Sequence, residues 1–209
     1  AAAGAAVTGS LNTVVGDNAG YALTSGANNV AVGGLALTAN TTGANNTAVG
    51  YGTLDANTTA SDNTAMGYDA LGANTTGTQN TAMGYRAGDV VTTGIRNTYI
   101  GNNAGGAATT GGSNVAIGHG AGVTYTTAGS NTFVGADAGS AIESGSSNNT
   151  MIGKGAGSAM TTGQHNTFIG RYNGNEGGID LRTSSNCIVL SDGEGNPRLT
   201  WDGSNWRFR

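Results

Sequence analysis

The sequence predicts an all-β protein, a parallel β-solenoid or β-roll of about ten 17-residue coils ending in a small C-terminal β-meander cap. Three observations lead there. A five-residue phrase, NTAVG at Asn46–Gly50 in its plainest form, begins at Asn12, Asn29, Asn46, Asn63, Asn80, Asn97, Asn114, Asn131, Asn149 and Asn166, at spacings of 17 residues with one of 18 before Asn149. A fixed period this short marks a solenoid, in which each unit buries apolar surface only against its neighbours. The phrase carries Thr or Val second and Val, Ile or Met fourth, the β-branched and apolar types that suit a strand. Finally, the 209 residues include 39 Gly and one Pro, with 10% charged and a net charge of −4. Such a bias accompanies disorder when it is patternless or highly charged; here it is periodic and nearly neutral, which favours ordered repeats.

Numbering each coil from its Asn, position 1 is a residue that caps turns, tolerates left-handed backbone and stacks as an amide ladder. Positions 2 and 4 lie on one side of an extended strand and position 3 on the other. The sequence reading sends 2 and 4 into the coil, so that Thr47 and Val49 fill the inside and Ala48 faces out. Position 5 is Gly in all ten phrases, and position 8 is Ala in eight of the nine full coils, with Thr53 the exception. Position 9 is Leu at Leu37, Leu54 and Leu71 and Gly in the other full coils, and a Thr-Thr-Gly corner follows, as at Thr41–Gly43. Glycine supplies positive φ at such bends, and the one-residue insertion just after Gly145 falls in this corner.

Position 3 changes along the chain from Val14 and a run of Ala to Tyr99, Phe133, Met151 and Phe168. Facing outward, Tyr99, Phe133 and Phe168 would form an inter-subunit or receptor-binding stripe. A single coil buries few side chains against the entropy of ordering 17 residues, so further burial between chains, in a parallel homotrimer, is expected.

Residues 1–11 read as the end of a preceding coil or a truncated lead-in, 12–174 as the repeat domain and 175–209 as the cap. The opening AAAGAAVTGS, without an initiator Met or signal peptide, looks like the cut edge of something longer. The last segment holds both tryptophans and reads as strand Cys187–Ser191, turn, strand Arg198–Asp202, turn, and a strand from Trp206. Asn186 is aligned there with the Asn column, leaving Leu190 in place of Gly. Tyr172, Trp201 and Trp206 would stack on sugars or form the core of the cap.

Little in the sequence points to catalysis. His119 and His165 lie in different columns without metal-ligand spacing, and Cys187 has no Cys partner. Asp192, Glu194 and Asn196 alternate like a calcium loop, but the twelfth position is Gly203, so a hairpin turn is the better reading. Mild acidity without a basic run argues against nucleic acid, and no apolar run is long enough to span a membrane. No enzyme activity, cofactor or metal is expected.

The phrase NTAVG…A…TTG…N resembles the repeats of bacteriophage tail-fibre and tail-appendage proteins, which often carry a self-cleaving C-terminal chaperone. CIVLSDGEGNPRL at Cys187–Leu199 resembles the stretch that commonly precedes that chaperone. The likeness covers Asn12–Gly170 and Asn186–Leu199. NVAIG at Asn114–Gly118 is also similar to the head repeats of trimeric autotransporter adhesins, whose usual repeat is shorter. Both resemblances imply three parallel chains of stacked β-coils. The first implies a virion tail-fibre shaft that extends, and presents, an end binding a host glycan or protein, with Arg209 close to the cleavage point. The second implies a bacterial surface adhesin or extracellular filament. An ice-binding solenoid is a further alternative, motivated by the Thr column at position 2; its inward placement argues against the flat Thr array such a face needs.

Overall fold

A computed structural model describes residues 8–208; most of the expected lead-in, residues 1–7, and Arg209 with its expected cleavage point lie outside the described residues. No helix occurs among them. Ten three-residue strands carry the repeated phrase: β1 (Thr13–Val15), β2 (Val30–Val32), β3 (Thr47–Val49), β4 (Thr64–Met66), β5 (Thr81–Met83), β6 (Thr98–Ile100), β7 (Val115–Ile117), β8 (Thr132–Val134), β9 (Thr150–Ile152) and β10 (Thr167–Ile169). Each pairs with the next in parallel and in register, as in Thr47↔Thr64, Ala48↔Ala65 and Val49↔Met66. Backbone bonding between coils also continues around the perimeter outside the strands, through pairs such as Leu54 N–H to Ala70 C=O (3.1 Å) and Thr41 N–H to Thr58 C=O (2.8 Å).

A two-stranded excursion, β11 (Asn175–Glu176) and β12 (Ile179–Asp180), precedes β13 (Ile188–Ser191). β13 is an eleventh rung: it pairs in parallel with β10 through Thr167↔Ile188 and Ile169↔Leu190. Two antiparallel strands, β14 (Pro197–Trp201) and β15 (Trp206–Phe208), then complete one 13-stranded sheet. The frame at this rung differs from the sequence alignment. Asn186 has φ 61° like the residues that precede each Asn, and Cys187 holds position 1, its N–H donating to Asn166 Oδ1 at 2.9 Å. Leu190 is therefore a position-4 residue, and Ser191 stands where other coils have Gly.

The inside and outside of the coil are the reverse of the sequence expectation. Position 3 is fully buried at Ala48, Tyr99, Phe133, Met151 and Phe168, while positions 2 and 4 are half-buried or exposed. The cause is the Asn at position 1. Its side chain turns inward to close the coil: Asn46 Nδ2 donates to Ala60 C=O across the corner (2.8 Å), and its Oδ1 accepts the Asn63 N–H of the next coil (3.0 Å). With position 1 inward, alternation places 3 inward and 2 and 4 outward. The oxygen-to-N–H step repeats from Asn12 through Asn166 and ends on Cys187.

Three interior positions, 3, 9 and 12, share the volume of each coil. Coils with Leu at 9 have Ala at 3 and Asn at 12, as in Ala48, Leu54 and Asn57; coils with Gly at 9 carry the bulk elsewhere, as in Phe133, Gly139 and Ile142. The Tyr99 ring occupies the space beside Gly88 and Gly105, where a Cβ on Gly88 would lie 2.6 Å from it, and its hydroxyl meets that of Tyr125 at 3.2 Å. Tyr99→Ala is expected to cost about 3–5 kcal/mol as a cavity. Adding Gly105→Leu, which recreates the Ala–Leu pairing of coils 2–4, should recover a large part of that loss in chemical denaturation; left-handed Leu is already tolerated at Leu54 (φ 52°).

Position 12 also holds a second, interior amide ladder. Asn57 Nδ2 donates to Asn40 Oδ1 (3.0 Å) and Asn74 Nδ2 to Asn57 Oδ1 (3.1 Å). It stops where Val91 takes the column, leaving Asn74 Oδ1 buried without a partner. Val91→Asn is expected to cost less than about 1 kcal/mol, because the new amide satisfies that oxygen. The same change at Ile142, between Tyr125 and Met160 in the column, should cost about 3–5 kcal/mol. Paired denaturation curves check the contrast.

Candidate functional surface

The outward sides of positions 2 and 4 form one face of the sheet. Position 2 supplies a row of Thr, with Val30 and Val115; position 4 supplies an unbroken aliphatic and Met row from Val15 through Ile169. Within it Met66, Met83, Ile152 and Ile169 are each about two-fifths exposed, at 40%, 39%, 39% and 42%. No charged side chain interrupts either row. The face continues over the C-terminal strands, because Ile188 aligns with Trp201 and Trp206, and Leu190 with Leu199 and Phe208. Contiguous apolar surface of this kind is the usual mark of an interaction surface.

Of the side chains expected on a binding surface, Tyr99, Phe133, Phe168 and Tyr172 are wholly buried. Tyr99, Phe133 and Phe168 are core for the reason that inverts position 3; Tyr172, beyond the strand, is core because its ring and hydroxyl are both satisfied inside the C-terminal end. Tyr172 packs edge-on to Phe168 (5.2 Å), and its hydroxyl lies 2.9 and 2.7 Å from the Gly174 and Ile179 carbonyls. Burial first, then the nearby acids, pushes its phenol pKa up. Trp201 and Trp206 are on the outward face, 5.4 Å apart with rings inclined by 44°. At position 6, where the sequence varies between Tyr, His119 and Lys154 and a surface place is expected, Tyr51, Tyr68 and Tyr85 form an aromatic set outside the coil. They stack at 5.7 and 5.5 Å with nearly parallel rings and are half exposed. Their shared column and spacing of 17 residues were the available signal.

A third regular feature is the corner. The first Thr of each pair is structural: Thr41, Thr58, Thr75, Thr92 and Thr109 donate their hydroxyls to a carbonyl of the next coil at 3.0–3.3 Å. The second, as at Thr42, Thr59 and Thr76, is exposed.

Among the described residues no group of three or more His, Cys, Asp or Glu side chains is arranged to hold a metal ion. At the acidic turn, Asp192 Oδ1 accepts from the Glu194 and Asn196 backbone N–H groups at 3.0 and 2.9 Å, and Oδ2 receives Arg198. Desolvation opposes ionisation of Asp192, but the Asn196 and Arg198 hydrogen bonds outweigh it and hold the pKa at about 2. Its oxygens are committed to the hairpin. Cys187 is buried, and burial followed by the Asp202 charge pushes its thiol pKa up, the reverse of an activated nucleophile. His119 lies 3.8 Å from Asp137 on the surface, far along the chain from His165, which occupies a left-handed position beside Asn148. Shallow depressions on the C-terminal segment are lined by Asp180, Arg182 and their neighbours, with Asp180 held by Arg182 at 2.7 Å.

No protein-family model, curated protein or solved structure matches the chain. The functional reading accordingly rests on the geometry of the outward face. No helix among the described residues is long and apolar enough to cross a membrane.

Proposed function

We propose that the chain is a structural fibre segment without a catalytic role: a stiff, parallel homotrimeric spacer of the bacteriophage tail-fibre kind, holding a host-binding end away from the particle. The observation that carries this reading is the uncharged Thr/aliphatic face, which runs unbroken along every rung. Side chains on such a face gain by being covered, at about 25 cal/mol per Å² of apolar area, and a second and third copy in parallel offer the matching length. At roughly 4.8 Å per rung the face is about 50 Å long. A bacterial surface adhesin would use the same architecture, and a host glycan or protein is the expected distant partner in both cases.

Sedimentation equilibrium tests it. The full chain should weigh about three times its 20.4 kDa, and Met83→Lys with Ile117→Lys, which place charges in the position-4 row, should yield folded monomers. A parent chain that sediments as a monomer contradicts the proposal.

The outward Thr row also favours a second reading, ice binding, since the objection from an inward position 2 does not hold. That reading requires the face to remain open, so the two proposals exclude each other on this surface. Thermal hysteresis of the monomer, abolished by Thr81→Lys, would select ice binding.

A further inference from the structure

We propose that the C-terminal hairpin, β14 and β15 laid on β13, is the clamp that holds copies of this chain together and sets their axial register; the occupant of its apolar face is the same face on the other copies. The inference rests on the trimeric reading above. Along the shaft, the outward rows are nearly the same at every rung: Thr or Val at position 2, Val, Ile or Met at position 4. A copy displaced by one coil would therefore meet almost the same side chains, so the shaft specifies its partner's register only weakly. The rows change character only at their end, where they become Ile188–Trp201–Trp206 and Leu190–Leu199–Phe208.

That end is two-faced. On the outward side Trp206 and Phe208 are 51% and 80% exposed. On the other side Val189 and Thr200 are buried, and the hairpin's charges are paired, Arg207 with Asp202 at 2.8 Å and Arg198 with Asp192 at 2.5 Å. The alternation of the strands thus removes charge from the outward face and concentrates aromatic surface on it, the composition of an interface centre.

The area argues for a second copy as the occupant. Aromatic side chains carry about 150–250 Å² each, so Trp206 and Phe208 expose roughly 250 Å² together, and Ile169, Ile188 and Leu190 add about 200 Å². The patch is larger than a solitary surface residue explains, yet below the roughly 800 Å² per partner of a stable interface. Only an occupant that also covers the contiguous shaft rows makes up the difference, and a parallel copy in register does so. An unrelated partner seated on the hairpin alone would not.

The test uses the full chain with Phe208→Lys and, separately, Trp206→Ser with Phe208→Ser, exposed sites whose replacement leaves the coils intact. Dissociation on dilution is followed by sedimentation, and register by dipolar spectroscopy between spin labels at Thr110→Cys, an exposed corner site outside the covered rows. The parent should give one narrow set of distances; both hairpin variants should dissociate at roughly 100-fold higher concentration or more and show broadened, multiple distances. Met66→Ser on the shaft should weaken association without broadening. Hairpin variants that keep the parent's dissociation range and narrow distances overturn the clamp while leaving the trimer standing. A monomeric parent overturns the trimeric reading and the clamp with it.

Discussion

Replacing Asn97 with Ala is expected to lower stability by about 3–5 kcal/mol, the sum of two buried orphans at about 1–3 kcal/mol each together with lost packing. The substitution strips the Asn114 N–H of its acceptor at 2.9 Å and the Gly111 carbonyl of its donor at 2.9 Å. Both lie inside the ladder, where Asn97 and Asn114 are at most 1% exposed, so water cannot replace the lost partners without opening the coil. For a chain of this length the melting temperature should fall by roughly 10 °C. Asn102→Ala, at an exposed site with the same chemistry removed, should stay within about 0.5 kcal/mol. Equal effects at the two sites would show that the Asn column is not what closes the coils.

Gly67→Ala should be at least as damaging, at about 4 kcal/mol or more. Gly67 has φ +134°, a conformation essentially reserved for Gly, and a Cβ there would lie 2.7 Å from the Gly84 carbonyl carbon and 3.3 Å from its Cα. The obstruction is backbone of the next coil, which moves only if the two rungs separate. Gly145→Ala provides the comparison: φ is +86°, but nothing lies within 4 Å of the added carbon, so only the local strain of about 1–3 kcal/mol applies. Amide exchange should show Gly67→Ala loosening its own and the adjoining coils first, as in other one-dimensional arrays.

These two columns also mark what the sequence revealed about the fold. The 17-residue period followed from the spacing of Asn and Gly, because a solenoid repeats its turn chemistry once per coil; the ten strands also needed the β-branched and apolar residues at positions 2 and 4, and the final meander its own alternation of strand and turn residues. The sense of the strand did not. Thr and Val suit the outer surface of a sheet as well as its interior, so the β-branched pair at 2 and 4 gave no direction. The deciding fact was that Asn at position 1 bonds across its own coil and drags position 3 inward. A closer signal was present in the exchange of bulk between Tyr99 and Gly105, or Phe133 and Gly139, which is what residues sharing one interior do. The same error hid the candidate surface: Tyr99, Phe133 and Phe168 are the filling, and the plain Thr/aliphatic rows are what the molecule presents. Position 12 was missed because its occupants range from Asn57 to Tyr125 and Ile142, and no residue type marks the column. The frame at Cys187 was missed because Asn186 matches the repeated letter while occupying the left-handed position before it.

The most direct test of the central claim, that the position 2 and 4 face is covered by other copies of the chain, is thiol labelling of the native full chain carrying Ile152→Cys or Thr110→Cys. In a single copy both sites are exposed, Ile152 at 39%, and Cys187 is buried and should remain unlabelled. Covered faces predict that the thiol at 152 is protected and forms disulfides between copies under mild oxidation, whereas the thiol at 110 reacts at the rate of a free surface cysteine. Equal, rapid labelling at both sites, with no cross-linked species, would contradict the account.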